Sequence, residues 1–196
     1  MDELNDPKTV LHQYLQRARD ALVWKLDGLS ERYARLPRTP TGNNLLGIVK
    51  HCLNVEVGYF GPPFGRDFPT PDELVPETAY DEDPQADWYA TADETKDGLV
   101  ELYRRVWAFA DETIEQLPLD APGRVLWWPP ERRDTTLQRI LVHVLYDLTR
   151  HAGQADIMRE QHDRAIGYQQ TNPNLPDAYD WPAYVAKLTD LADRFS

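Results

Sequence analysis

Four long stretches of this chain carry apolar side chains at three- and four-residue steps, and that repeat leaves few ways to fold it. From about Pro7 to Leu36, the residues Leu11, Tyr14, Leu15, Ala18, Leu22, Leu26 and Leu29 share one helix face, with Gly28 a weak spot and Pro37 the stop. From about Thr41 to Phe60, Leu45, Ile48, Cys52, Val55 and Tyr59 form a second stripe, with Thr41 as cap and Gly61-Pro62-Pro63 as terminator. A third helix is expected from Thr91, where T-A-D-E reads as a capping box with Glu94 reaching back, and it runs to Pro118. A fourth is expected from Asp134 or Thr135 to about Glu160, with Leu137, Ile140, Leu141, Val144, Leu148 and Met158 on its stripe. A short amphipathic helix follows at about 181–195. Strand-like alternation is absent, and long striped helices bury their apolar faces best against one another. The expectation is an all-α four-helix bundle with a long crossover loop and a short C-terminal helix, one domain over residues 1–196.

Two connections are unusual. Residues 61–90 are acidic and proline-rich, yet carry Phe64, Phe68, Leu74, Tyr80 and Trp88, so this loop is expected to pack on the bundle rather than trail from it. Residues 118–134 contain Trp127-Trp128-Pro129-Pro130, a run that cannot be helix interior. One or both loops are expected to line the mouth of a site at the bundle end; the plainer reading is that their aromatics plug that end.

The net charge of −12 argues against a nucleic-acid partner, because phosphates would be repelled. No run of about 18 apolar residues marks a membrane span, and MDELNDPKTV has neither a basic region nor an apolar signal segment. Cys52 is the only cysteine, which excludes an internal disulfide and fits a cytoplasmic location. No P-loop, nucleophile elbow or dinucleotide-binding glycine cluster is present.

The chemistry-bearing residues concentrate in the fourth helix. His143, Asp147 and His151 are spaced by four, and each step of four leaves neighbours about 40° apart on one face. Asp147 and His151 thus point the same way, one turn apart, as two ligands of one ion must. His51 lies beside the apolar stripe of the second helix, where a facing helix brings it within reach. Imidazole plus carboxylate suits Zn²⁺, Ni²⁺ or Fe²⁺ with coordination positions left open. His143, about 80° from His151, reads as a core or supporting group behind the ligands. Glu56 is a candidate to orient His51, Asp156, Arg159 and Glu160 to close the helix as ion pairs, Cys52 to pack in the core, and His12 and His162 to face solvent.

The stretches T-G-N-N-L-L-G-I-V-K-H (41–51) and L-V-H-V-L-Y-D-L-T-R-H-A-G-Q-A-D-I-M-R-E-Q-H-D (141–163) resemble the DinB-like superfamily, in particular its actinobacterial branch of mycothiol-dependent proteins. The resemblance implies a metal held by the positions matching His51, Asp147 and His151. It departs from the branch at Asp147, where Glu is usual, at Gln154, where His is frequent, and at Arg164-Ala165, where a glycine is expected. These departures bear on substrate identity more than on metal binding. The implied activity is metal-dependent S-transfer from mycothiol or a similar low-molecular-weight thiol to a small electrophile, with catalysis centred on the metal and Arg150 a candidate to neutralise a substrate carboxylate. Hydrolysis in the same pocket and a non-catalytic metal-binding protein are the alternatives. The expected partner is a small-molecule substrate, with neither nucleic acid nor membrane, and a homodimer is left open.

Overall fold

The computed structural model describes residues 6–167, 169–176 and 178–195. Four long helices carry the fold: α1 (Pro7–Val23), α3 (Leu45–Phe60), α5 (Lys96–Gln116) and α6 (Leu137–Asp163), with the short helices α2 (Glu31–Arg35), α4 (Ala79–Glu82) and α7 (Trp181–Ala192) between and after them. Each long helix opens on a short polar side chain that accepts a bond from the backbone N–H three residues on. The pairs are Asp6 with Thr9, Asn44 with Gly47, Thr95 with Gly98 and Thr136 with Arg139. Such a cap is worth about 1 kcal/mol and fixes where the helix starts.

Three boundaries differ from the sequence expectation. The first stripe is not one helix: α1 ends at Val23, a single 3-10 turn follows at Trp24–Leu26, and α2 begins after Ser30. Gly28 lies between them at φ +72°, a left-handed conformation that favours glycine and ends the run. The second helix is capped by Asn44 rather than Thr41. The third starts at Lys96, not Thr91. Glu94 does accept from the Thr91 N–H at 2.6 Å, but that bond closes a turn ahead of the helix, and Thr95 is the cap. A short antiparallel ladder also joins β1 (Pro122–Arg124) to β2 (Asp134–Thr136), closing the Trp127-Trp128 loop at its base. Strands this short show no alternation to read.

In the bundle α1 packs on α6, and α3 packs on both α5 and α6. One continuous core includes Leu15, Ile48, Leu53, Ile114, Leu141 and Val144, all essentially inaccessible to solvent. Burying each such side chain stabilises the fold by about 1.5–3 kcal/mol. Polar groups cross this core too. Arg19 donates to Glu56 through Nε at 3.0 Å and Nη2 at 2.6 Å, and the Tyr103 hydroxyl donates to the same carboxylate at 2.6 Å. Glu56 is therefore committed to the core and does not orient His51, because its position on α3 faces α1 and α5.

The 61–90 connection packs on the bundle, as its aromatics led us to expect. Phe68 is buried edge-on against Phe109 at 5.4 Å, and the Val75 N–H donates to the Asn54 side chain. Beyond α6, α7 leaves all of its residues exposed. No described helix is long and apolar enough to cross a membrane.

Candidate metal centre

Because α3 lies against α6, His51 reaches the face of α6 that carries Asp147 and His151. These three side chains each offer a ligand atom, and those atoms lie within 4.8 Å of one another. The two imidazole rings meet edge to face at 5.0 Å, and His151 Nε2 lies 3.5 Å from Asp147 Oδ2. Ligand atoms on one ion with bonds of about 2.1 Å lie within about 4.2 Å of each other, so small side-chain adjustments of less than about 1 Å suffice.

Both histidines are held by their other nitrogen. His51 Nδ1 lies 2.7 Å from Asp87 Oδ2, and His151 Nδ1 lies 2.9 Å from Gln154 Oε1. Donation from each Nδ1 to these acceptors fixes the tautomer and leaves Nε2 with its lone pair free, which is how metal-binding imidazoles are ordinarily prepared. The donor set and its supports thus fit a divalent ion. Gln154, the departure from the branch pattern, has a definite task here.

Asp87 is the residue of this candidate site that sequence reasoning missed. It is buried, and burial and then the nearby Asp87 charge push the pKa of the Tyr80 phenol up. Trp88 stacks on His51 at 3.9 Å and meets His151 edge-on at 5.3 Å, forming one wall of the site. The first turns of α3 pin this segment in place. Asn44 Nδ2 donates to the Trp88 carbonyl at 3.1 Å, Lys50 pairs with Glu94 at 2.9 Å, and a Cβ at Gly47 would collide with the Trp88 carbonyl. Asn44, Gly47, Lys50 and His51 in T-G-N-N-L-L-G-I-V-K-H therefore act together: three hold the segment that holds the fourth. A sequence signal was available in Gly47, which sits where an alanine would serve the helix better.

Electrostatics inside the site follow the geometry. Burial alone would raise the Asp147 carboxyl, but the His151 bond and the neighbouring histidines outweigh it and lower its pKa. Burial would lower His151, yet its bonds to Asp147 and Gln154 prevail and raise it. Cys52, buried on the core stripe beside His51, has its thiol pKa pushed well up by burial and then by the charges of Asp147, Glu56 and Asp87, so it stays protonated and serves packing. His143 lies one turn before Asp147; burial lowers its pKa, and its Nε2 is 3.0 Å from the Tyr59 hydroxyl. Trp128 Nε1 donates to that same hydroxyl at 3.0 Å, while Trp127 packs edge-on against Tyr59 at 5.4 Å. Arg150 is exposed, its guanidinium 5.8 Å from the centre of the Tyr146 ring.

The remaining expectations for α6 need correcting. Arg159 pairs with Asp163, a full turn on, rather than with Asp156 or Glu160, and Asp156 instead receives the buried ammonium of Lys25 at 2.7 Å. His162 is exposed as expected, though it stacks on Tyr33, whereas His12 is half-buried and lies 2.8 Å from Asp111. The Lys25–Asp156, His12–Asp111 and Tyr33–His162 contacts are tertiary and cannot be revealed by spacing along one helix, whereas Arg159–Asp163 is an i,i+4 pair within α6.

Comparison with known proteins bears on the same region. No curated protein matches the sequence. Among solved structures, a conserved protein from Enterococcus faecalis is similar in fold, with a TM-score of 0.52 at 17% identity, covering 77% of this chain and 94% of its own. The family model for mycothiol-S-transferases matches residues 10–164. That match runs from inside α1 to the end of α6 and so takes in all four long helices, the 61–90 connection and the three convergent side chains: the chain belongs to the mycothiol-S-transferase family, built as a DinB-like bundle.

Proposed function

We propose that this protein is a metal-dependent S-transferase that joins mycothiol, or a similar low-molecular-weight thiol, to a small electrophile. The observation that carries this reading is the pairing of two pre-oriented imidazoles with one carboxylate in a chain of this family. His51, Asp147 and His151 would hold the ion, with Zn²⁺, Ni²⁺ and Fe²⁺ all suited to the donor set. When bound, a divalent ion there supplies the positive charge that lowers a thiol's pKa, so that its thiolate exists near neutral pH. In the reaction the sulfur forms a bond to the electrophilic carbon, the leaving group departs with its bonding pair, and the thiol proton passes to solvent.

The chain's own residues shape the site for this. Asp87 and Gln154 hold the two rings by Nδ1, so that each Nε2 is aimed inward. Trp88 covers one side and excludes water from the sulfur, which strengthens electrostatic stabilisation there. Cys52, protonated and buried, does not compete as a nucleophile. A thiol co-substrate and one buried cysteine suit a reducing compartment, and the cytoplasm is the proposed location.

The test is to load the purified protein with each metal in turn and follow thiol consumption with several thiols and 1-chloro-2,4-dinitrobenzene. Activity that requires metal and prefers one thiol supports the reading. Metal-loaded protein that accelerates the reaction with none of them contradicts it.

A further inference from the structure

We propose that a second pocket beside the metal centre binds a small planar carboxylate, and that it selects an anionic aromatic electrophile. The pocket has a volume of about 390 Å³ and is lined by Trp128, Arg132, Arg139, Val142, His143 and Tyr146. That volume lies at the small end of ligand sites and suits a one-ring molecule. His143 is four residues before Asp147 on α6, about 6 Å along the helix axis, so a molecule seated here lies next to the candidate metal centre.

Three features set the ligand's chemistry. First, two guanidinium groups face the cavity in a chain whose net charge is −12, and among the described residues neither is paired with a carboxylate. Asp134, the nearby acid of β2, is turned to Arg124 at 3.6 Å instead. Arg139 rests 5.4 Å from the centre of the Trp128 ring, which holds its planar fork in place while leaving its N–H groups free. Second, the walls are aromatic. Trp128 is fixed by its bond to Tyr59, and Trp128 and His143 meet edge to face at 5.2 Å. Aromatic walls with guanidinium forks favour a flat ring that carries a carboxylate over a flexible or neutral ligand. Third, the Tyr59 oxygen already accepts from Trp128, so assigning its hydrogen to His143 Nε2 satisfies all three groups. The imidazole then carries its hydrogen on Nδ1, a further donor in the pocket wall.

As the seat of the electrophile this pocket rests on the transfer reading; as a binding site it does not. The test therefore has separate arms. By isothermal titration, 4-nitrobenzoate should bind the wild-type protein at least about tenfold more tightly than the neutral 4-nitrobenzamide, because the carboxylate alone gains charge-assisted bonds. Arg132→Gln/Arg139→Gln should erase that preference; both positions are exposed, so folding is not at issue. His151→Ala should keep it, since the ligand is held by the pocket and not by the metal. Equal binding of the two probes, no binding of either, an unchanged preference in the double variant, or its loss in His151→Ala would each overturn the proposal. In the kinetic arm, kcat/KM for 4-chloro-3-nitrobenzoate relative to 1-chloro-2,4-dinitrobenzene should fall about tenfold in the double variant. An unchanged ratio counts against the electrophile seat. Absence of activity with every thiol defeats the transfer reading and the electrophile seat with it, and leaves the carboxylate site to the titration.

Discussion

His51 Nδ1 and Asp87 Oδ2 lie 2.7 Å apart, and this bond ties the proline-rich 61–90 connection to the α3 side of the candidate metal centre. Asp87→Ala should lower metal affinity by about 10–100-fold, the usual cost of losing the group that orients a metal-bound imidazole. Competition with a coloured chelator measures this directly. If Asp87→Ala holds metal as tightly as wild type, the orienting role is wrong.

Gly47 tests the same segment from the backbone side. A Cβ there would meet the Trp88 carbonyl and the Asn44 amide, neither of which can move without releasing the wall over His51. Gly47→Ala should destabilise the protein by about 1–3 kcal/mol despite alanine's better helix propensity. It should also weaken metal binding. A variant that gains stability in urea unfolding would show that the close approach is not real.

Much of this arrangement was legible in the sequence, and the gaps have physical reasons. The stripes located α3, α5 and α6 to within a few residues, because amphipathic periodicity survives wherever a helix buries one face. The i, i+4 spacing put Asp147 and His151 together, because helix geometry is local. Asp87 could not be found in this way: it stands in a loop, 36 residues from His51, and only the folded path of residues 61–90 brings the two into contact. Glu56 misled for the converse reason. It is near His51 in sequence but points into the core toward Arg19 and Tyr103. The break near Gly28 was visible as a weak spot, yet the apolar stripe runs straight through it and masked the change of direction.

The buried Arg19–Glu56 pair should behave as a unit. Glu56→Ala strands a guanidinium in the core, with Asp111 at 2.7 Å and Gln16 at 3.1 Å as its remaining partners, and should cost about 3 kcal/mol or more. Replacing both residues with hydrophobic ones of similar size, Arg19→Met/Glu56→Met, should cost less than Glu56→Ala alone. Urea unfolding of the single and double variants measures the coupling. Additive losses would mean that the two side chains act independently.

Asp111 gives the fold a pH dependence with a definite sign. Burial alone would raise its carboxyl, but the His12 bond and the Arg19 charge outweigh it and hold the pKa below the usual carboxylate range. A lowered folded-state pKa contributes stability that is fully present above the unfolded value, about 3.9, and is lost as pH falls through the folded value. The stability gap between wild type and Asp111→Asn should therefore be wide at pH 7 and shrink below about pH 4. A gap that widens on acidification would contradict the assignment.

The central claim is that His51, Asp147 and His151 form one metal site, and elemental analysis tests it most directly. Protein purified without chelator and then offered Zn²⁺, Ni²⁺ or Fe²⁺ should hold about one ion per chain after desalting, and His151→Ala, with its helices intact by circular dichroism, should hold none. Wild-type protein that retains no ion from any of the three metals, or a His151→Ala variant that retains as much as wild type, would contradict the account.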